Sequence, residues 1–319
     1  MESIAIIGAG LTGLTVGDAL RNTHRVTVFE KSRGLGGRLA TRRVTLEDGR
    51  ELSFDHGAPM LRPERDEFAA FLRKLEKEGN VATWNGREPY YGFPGMSDLV
   101  APLAKGLDVR RLARVDRIVA DDGWTLELAP HEREGGAETG RVGPFDRVVV
   151  AVPPQQAAAI IRSVEPALAS HLADEPFAPC WTLMAAFEGE AERPLELGPE
   201  ANGEDIQWLV ANETKAGRSA APQCWVMQMR REWSQEHIES NREELIEVLL
   251  PIFRRHTGVE SDPLYVAAHR WRHSQVIDAS YDYCFVRADG TLIVCGDWCF
   301  GPLADHAYMS ARGVIERLR

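Results

Sequence analysis

The chain has 319 residues, of which 44% are hydrophobic and 27% are charged, an ordinary globular composition that excludes fibrous and disordered classes. At roughly 100 to 200 residues per domain, this length predicts two domains or one elaborated domain. The 48 acidic and 37 basic side chains give a formal net charge of −11, so we expect neither nucleic acid nor an anionic membrane as a partner.

The start of the chain and its cysteines indicate a compartment. Residues 1–7 contain no basic leader, and no apolar run reaches the length of a membrane span, so we expect a cytoplasmic protein. The five cysteines are an odd number and form no CxxC pair. The sequence therefore predicts neither a disulfide framework nor a metal site.

The first elements predict a βαβ unit. Ser3–Ile7 and Arg25–Glu30 are apolar runs with the composition of strands, and Leu11–Leu20 has the spacing of a helix. Further along, apolar residues at helical spacing behind an acidic first turn predict a helix over Glu64–Glu78.

The middle of the chain predicts more strands. Arg114–Val119 and Trp124–Leu128 are strand-like, and Pro130–Gly143, rich in Glu and Gly, predicts an exposed loop. Asp146–Val152 follows, and we expect the three strands to form a small antiparallel meander. Because Val148–Val152 is apolar at every position, we expect this last strand to be buried in the first sheet.

A second sheet is predicted from the strand-like runs Thr182–Phe187, Gln207–Ala211 and Cys224–Met229. A capping-box pattern at Ser240 and Glu243 predicts the start of a long helix behind that sheet.

The chain ends on a buried strand and a helix. Leu292–Cys295 predicts the strand, and apolar residues from Ala304 to Leu318 predict the helix, with Pro302 in its first turn.

A glycine pattern joins the first strand to the first helix. Gly8, Gly10, Gly13 and Gly17 form GxGxxGxxxG, which allows a tight turn, a close approach of pyrophosphate to the backbone and close helix packing. Glu30 ends the second strand, where a carboxylate can accept hydrogen bonds from an adenosine ribose. Together these features predict dinucleotide binding.

A second glycine turn follows at residues 31–38, which read KSRGLGGR. A nucleotide fingerprint followed at this distance by GGR resembles the flavin amine oxidase superfamily, in which this segment lies against the FAD pyrophosphate. Arg38 can donate bidentate hydrogen bonds to phosphate. Gly296 and Asp297, between a buried strand and a helix, match the place where such flavoproteins bind the FAD ribityl chain.

The resemblance implies an α/β fold with non-covalently bound FAD. We expect a Rossmann-type FAD-binding domain over residues 1–60, 105–155 and 285–319. An inserted α+β substrate domain, a mixed antiparallel sheet plus helices, is expected over residues 61–104 and 156–284. The expected cofactor-binding residues are Gly8, Gly10, Thr12, Gly13, Glu30, Lys31, Gly36, Gly37, Arg38, His56, Gly57, Ala58, Val115, Gly296, Asp297, Leu303 and Ala304.

More specific motifs resemble the renalases, especially the bacterial ones. They are, in order, EKSRGLGGR, DHGAP, PGMS, AHRW and CGDWC. The resemblance implies a FAD-dependent oxidase whose partners are O2 and a dihydronicotinamide dinucleotide reduced at the 2 or 6 position, with NAD(P)+ and hydrogen peroxide as products. Removal of hydride from such a ring leaves an aromatic pyridinium directly, so no strong general base is required.

By position, the resemblance implies a substrate pocket bordered by Ala58, Pro59, Met60, Gly95, Met96, Ser97, His269 and Trp271. One segment departs from the family pattern, which continues Met-Gly-Ala-Gln-Tyr-Phe after the aspartate, whereas residues 56–61 read His-Gly-Ala-Pro-Met-Leu. This change removes a hydrogen-bonding group and a stacking surface from the expected wall. For His269, beside two arginines, we favour a structural or substrate contact over base catalysis, and the sequence identifies no certain catalytic side chain.

Two other functions remain open from the sequence. A flavin-dependent oxidase of a small amine would need an aromatic cage, to which Trp271 contributes one wall at most. A non-catalytic FAD-binding redox sensor would be compatible with the altered segment 59–61.

Overall fold

The computed structural model describes residues 1–84, 86–129, 140–188, 196–197, 205–279 and 282–319. The strands are β1 (Ser3–Ile7), β2 (Arg25–Glu30), β3 (Thr41–Thr45), β4 (Glu51–Asp55), β5 (Val81–Trp84), β6 (Arg87–Gly92), β7 (Asp108–Arg111), β8 (Arg114–Asp121), β9 (Gly123–Ala129), β10 (Gly140–Phe145), β11 (Arg147–Val150), β12 (Phe177–Phe187), β13 (Glu196–Leu197), β14 (Ile206–Ala211), β15 (Gln223–Met229), β16 (Tyr265–Val276), β17 (Cys284–Val286) and β18 (Leu292–Cys295). The helices are α1 (Leu11–Leu20), α2 (Asp66–Lys77), α3 (Ala101–Ala104), α4 (Pro154–Ile161), α5 (Pro166–Ala173), α6 (Arg231–Glu236), α7 (Arg242–Thr257) and α8 (Ala304–Leu318).

The first sheet has the strand order β17-β18-β11-β1-β2-β7. Strand β1 lies between β11 and β2 and pairs parallel with both. All five of its residues are buried. Ile4 and Ile6 pack into one hydrophobic cluster, and Ala5 and Ile7 pack into another, because successive side chains of a strand point to opposite faces. The predicted βαβ unit and the return of the Val148 run to the first sheet are confirmed.

Helix α1 lies very close to the turn that precedes it. A Cβ atom added to Gly13 would lie 2.1 Å from the carbonyl oxygen of Gly8, so any larger residue would push the helix away from the sheet. The third glycine of the pattern therefore allows close helix packing, as its spacing predicts.

The second sheet is antiparallel, with the order β13-β14-β15-β12-β16. The three predicted runs form β12, β14 and β15, so the expectation of a second sheet is confirmed. Helix α7 covers one face and buries Leu245, Leu249 and Phe253. The predicted cap at Ser240 is wrong, because the side chain of Asn241 accepts the hydrogen bonds from the first turn of α7.

The remaining strands form smaller units. Strands β8, β9 and β10 make the predicted meander, but its third strand is β10, and the run starting at Asp146 belongs to the first sheet instead. Residues 130–139 of the predicted loop lie outside the described part of the chain, and Gly140–Gly143 belong to β10. Two further hairpins, β3–β4 and β5–β6, were not predicted from the sequence.

The last helix has the predicted bounds, Ala304–Leu318, but the expected place of Pro302 is wrong. Leu303 is its N-cap, so Pro302 precedes α8 and does not lie in its first turn. Among the described residues, no helix is long and apolar enough to cross a membrane.

The fold class is α/β, as predicted, with one Rossmann-like sheet and one antiparallel sheet backed by helices. The Rossmann-like sheet takes strands from the beginning, the middle and the end of the chain. The boundaries proposed for the two domains stay a prediction.

Candidate functional site

A large cavity is lined by residues from both main sheets. Its volume is about 970 Å³, at the upper end of the range for small-molecule sites. The lining includes the two glycine turns, the end of β2, the start of α8 and most of β16. The cavity therefore extends from the predicted dinucleotide site to the antiparallel sheet.

The two glycine turns lie side by side along the cavity. The backbone of Gly36 donates a hydrogen bond to the carbonyl of Ala9 over 2.9 Å, and Gly10 and Gly36 form an isolated bridge. A Cβ atom added to Gly10 would meet nothing within 4 Å. The backbone therefore borders open space at Gly10, which fits the close approach of a pyrophosphate.

Glu30 lies buried beside the first turn. One carboxylate oxygen accepts a hydrogen bond from the backbone of Ala9 over 2.9 Å, and the other accepts one from Ser32 over 2.8 Å. Each carboxylate oxygen can accept more than one hydrogen bond, so a ribose hydroxyl can still be bound. The position of Glu30 fits the adenosine end of FAD.

Arg38 and Asp297, predicted to contact phosphate and ribityl groups, form an ion pair with each other. A second nitrogen of Arg38 donates to the carbonyl of Ser274 over 3.1 Å. A guanidinium has five N–H donors, so this arrangement leaves donors for a phosphate. The start of α8 also borders the cavity at Leu303 and Ala304 and supplies a positive helix end.

Three rings meet where β4 approaches the antiparallel sheet. The ring centres of His56 and His269 are 4.9 Å apart, those of His269 and Trp271 are 4.6 Å apart, and those of His56 and Trp271 are 5.2 Å apart. The indole N–H of Trp271 donates to the carbonyl of His56 over 2.9 Å. The side chain of Gln228 donates to the carbonyl of Gly57 over 2.6 Å. The sheet thus holds the His56–Gly57 backbone from two strands, β15 and β16, which flank β12.

Both imidazoles in this group are neutral at physiological pH. Burial lowers the pKa of His56 to about 4 and that of His269 to about 3. The neighbouring His56 ring and the positive charges of Arg242 and Arg42 add to the effect on His269. These rings can stack or form hydrogen bonds, but they are weak bases.

A buried ionic cluster lies behind the His56–Gly57 segment. The carboxylate of Asp55 accepts hydrogen bonds from Lys215 at 2.9 Å, Arg218 at 2.7 Å, the hydroxyl of Thr41 at 2.7 Å and the backbone of Met96 at 3.0 Å. Burial opposes its ionisation, but Lys215 and Arg218 outweigh that effect and hold the pKa of Asp55 well below its usual range. The cluster joins β4, the Met96 turn and the loop before β15.

Most of the predicted site residues line the same cavity. They are Gly8, Gly10, Thr12, Glu30, Lys31, Gly36, Gly37, Arg38, His56, Gly57, Ala58, Pro59, Met60, Ser97, His269, Trp271, Gly296, Asp297, Leu303 and Ala304. Gly13, Gly95, Met96 and Val115 do not contribute to this lining. Gly13 packs α1 on its turn, and the side chains of Met96 and Val115 lie in hydrophobic clusters.

Sequence reasoning missed several residues of the site. Cys180, Gln207, Trp208 and Gln228 line the cavity from the antiparallel sheet. The pocket therefore contains the two amides of Gln207 and Gln228 and the indole of Trp208, which belong to none of the motifs found in the sequence.

The cysteines do not form a reactive or metal-binding group. All five are buried free thiols, and burial raises the pKa of Cys180 to about 12 and that of Cys284 to about 11. Little thiolate is therefore present at neutral pH. Within the described ranges, no cluster of three or more His, Cys, Asp or Glu residues is placed to hold a metal ion.

Comparison with known proteins agrees with this geometry. Residues 6–75 match a family model described as an NAD(P)-binding Rossmann-like domain, and residues 85–312 match one described as a flavin containing amine oxidoreductase. A putative L-amino-acid oxidase of Bacillus subtilis (strain 168), YobN, is 39% identical over 82 residues. That match covers 25% of this chain and only 16% of the relative, so the chain spans a small part of its length.

Solved structures share the fold over almost the whole chain. A putative protoporphyrinogen oxidase from Exiguobacterium sp. 255-15 has a TM-score of 0.70 at 13% identity, with 99% of this chain and 98% of that chain covered. An oxidoreductase from Methanosarcina mazei has a TM-score of 0.62 at 13% identity, with 98% and 100% covered. At this identity the similarity shows the fold alone.

The second family model spans more than half of the chain, and the cavity has the glycine turns, the buried acid and the helix end that suit FAD. The chain therefore belongs to the flavin-containing amine oxidoreductase family.

Proposed function

We propose that this protein oxidises dihydronicotinamide dinucleotides reduced at the 2 or 6 position of the ring, as the resemblance to renalases implies. Bound FAD would supply the hydride acceptor and would pass the electrons to O2, so that the products are NAD(P)+ and hydrogen peroxide. The residues of the chain would bind the ring, orient it and keep water away.

The observation that carries this proposal is the neutral group of rings at His56, His269 and Trp271. With pKa values of about 4 and 3, the two histidines are poor proton acceptors. The side chains of Trp271 and Gln228, which donate hydrogen bonds to the His56–Gly57 backbone, are uncharged as well. A site of this kind suits a substrate that becomes aromatic by losing a hydride alone.

Positioning is then the main task of the protein. The hydrogen bond from Trp271 to His56 fixes the indole, and the buried residues Met60 and Leu61 contribute apolar surface to the cavity. Holding a reactant at a fixed distance and orientation can supply a large part of a rate enhancement without a catalytic acid or base.

Oxidation of a small amine is the second candidate, favoured by the family match and by the short similarity to a putative L-amino-acid oxidase. It would need aromatic walls that face each other across the substrate. The His56 and Trp271 rings are in direct contact at 5.2 Å, so they do not enclose a substrate between them. Membership of an oxidoreductase family argues against the non-catalytic sensor.

Anaerobic stopped-flow reduction of the bound flavin tests the proposal. We expect the pure 2- or 6-dihydronicotinamide isomer to bleach the flavin rapidly and the ordinary 4-dihydro isomer to react slowly. Comparable rates for all three isomers, or reduction only by amines, would refute the assignment.

A variant of Trp271 tests the location of the site. Trp271→Ala should slow flavin reduction while FAD stays bound, because the indole would position the substrate. Trp233→Ala is the matched control, since Trp233 stacks on His237 and does not contribute to the described cavity lining. Loss of FAD together with a lower free energy of unfolding in Trp271→Ala would place this residue in the structural core instead.

A further inference from the structure

Strand β14 contains an extra residue where it passes the cavity. Ile206 is opposite Met229 on β15, and Trp208 is opposite Gln228, so two steps along β14 correspond to one step along β15. Gln207 is therefore the inserted residue of a β-bulge. Bulges change the direction in which side chains point and are frequent beside active sites.

Burial along the strand shows what the bulge does. Ile206 and Leu209 are both fully buried in the core under α7, although an odd separation would place them on opposite faces of a regular strand. The extra residue shifts the alternation by one position, so that Leu209 and Ala211 face the same core as Ile206. As a result, the adjacent residues Gln207 and Trp208 both line the cavity, and both are only partly buried.

The bulge lies close to the three-ring group. Trp208 is opposite Gln228, whose side chain donates to the carbonyl of Gly57. The same short segment accepts the hydrogen bond from Trp271. Gln207 and Trp208 therefore border the end of the cavity at which His56 and Gly57 are held.

Their chemistry is complementary to a particular kind of ligand. An indole presents a flat, polarisable face on which a planar ring can stack. A glutamine amide offers two donors and an acceptor, and in the part of the chain that the structure describes, the side chain of Gln207 has no hydrogen-bond partner. A second primary amide can pair with such a group through a donor and an acceptor together.

We propose that Gln207 and Trp208 determine substrate specificity, with Trp208 stacking on a planar heteroaromatic ring and Gln207 binding a carboxamide on that ring. This inference rests on the proposed function and names the groups that recognise its substrate. It also provides, from β14, the hydrogen-bonding amide and the aromatic surface that the segment Pro59–Leu61 lacks.

The test is equilibrium binding to the FAD-loaded protein, followed by the change in the flavin absorbance spectrum. The probes are 1-methylnicotinamide and 1-methylpyridinium, which differ only in the carboxamide. We expect the wild type to bind the carboxamide ring about tenfold more tightly, the value of one good hydrogen bond. Gln207→Leu should reduce this ratio to about one, whereas Gln235→Leu, on the exposed surface of α6, should leave it unchanged.

Trp208 is tested with the same two probes. Trp208→Leu should lower the binding affinity for both probes by about tenfold. Trp208→Phe should retain most of the affinity because it keeps an aromatic face. An unchanged ratio in Gln207→Leu, no binding of either ring to the wild type, or loss of FAD from both variants would overturn the proposal. Loss of FAD would show that the pair contacts the cofactor.

These outcomes are separate from the test of the proposed function. If no dihydronicotinamide isomer reduces the wild-type flavin, the proposed reaction is refuted, but the ratio of the two binding constants still decides the roles of Gln207 and Trp208. If reduction occurs and the ratio is unaffected by Gln207→Leu, the reaction stands and this inference fails.

Discussion

Replacing Asp55 by asparagine should strongly destabilise the protein, although the side chain does not line the cavity. The carboxylate is fully buried and accepts two charged hydrogen bonds, from Lys215 and Arg218. At about 1.5 to 3 kcal/mol for each bond to a charged group, the loss is about 3 to 6 kcal/mol. This agrees with the roughly 3 to 5 kcal/mol expected when one partner of a buried ion pair is removed.

The assay is urea unfolding of the purified variant, with a partly exposed carboxylate as the control. Asp98→Asn breaks a partly exposed pair with Arg43 and should cost less than about 1 kcal/mol. Lys215→Met should lower the free energy of unfolding by less than Asp55→Asn does, because the Asp55 carboxylate still pairs with the Arg218 guanidinium. Equal free energies of unfolding for the Asp55 and Asp98 variants would refute the reasoning.

The same carboxylate predicts a dependence on pH. The pKa of Asp55 is lowered in the folded state, so its stabilisation is fully present above the unfolded value of about 4. It is lost progressively as the pH falls below that value. The difference in unfolding free energy between wild type and Asp55→Asn should therefore shrink between pH 5 and pH 2, by about 1.4 kcal/mol per pH unit at most. A constant difference over this range would contradict an ionised Asp55.

Two other predictions concern the cofactor and the pocket. Glu30→Ala should weaken the binding of FAD by about 1.5 to 3 kcal/mol, as measured by flavin fluorescence titration of the apoprotein. The binding of FMN should weaken by less, because FMN lacks the adenosine ribose. Glu30→Gln, which keeps an acceptor for Ala9, is the control, and an equal loss for both flavins would show that Glu30 acts only through the turn. The rate of flavin reduction should not change with histidine ionisation between pH 6 and pH 8, since the pKa values of His56 and His269 are about 4 and 3. An inflection near pH 6.5 that disappears in His269→Gln would contradict this.

The nucleotide-binding half of the site was predictable because its contacts join residues that are close together along the chain. A strand, a turn and a helix of fixed spacing place the carboxylate of Glu30 beside the backbone of Ala9, only 21 residues away. The glycines at 8, 10 and 13 are required by that local geometry, so the pattern alone indicates the fold around it.

The substrate half was much less predictable because its contacts depend on strand pairing. Asp55 and Lys215 are 160 residues apart, and no spacing rule connects them. Strand β16 was missed because its polar residues line the cavity and do not show the apolar alternation of a strand packed on a core. The bulge at Gln207 depends on the register between β14 and β15, which the sequence of β14 does not contain.

Net charge and local charge would act in opposite directions on the dinucleotide substrate proposed above. The formal charge of −11 repels an anionic substrate at a distance, and salt screens this repulsion. Near the site, Arg43, Arg62, Arg270 and Arg272 line the cavity. Glu239 forms ion pairs with both Arg270 and Arg272, and Asp98 pairs with Arg43, so much of that positive charge is already balanced. A neutral ring held by Gln207 and Trp208 would therefore contribute more to selectivity than attraction between charges.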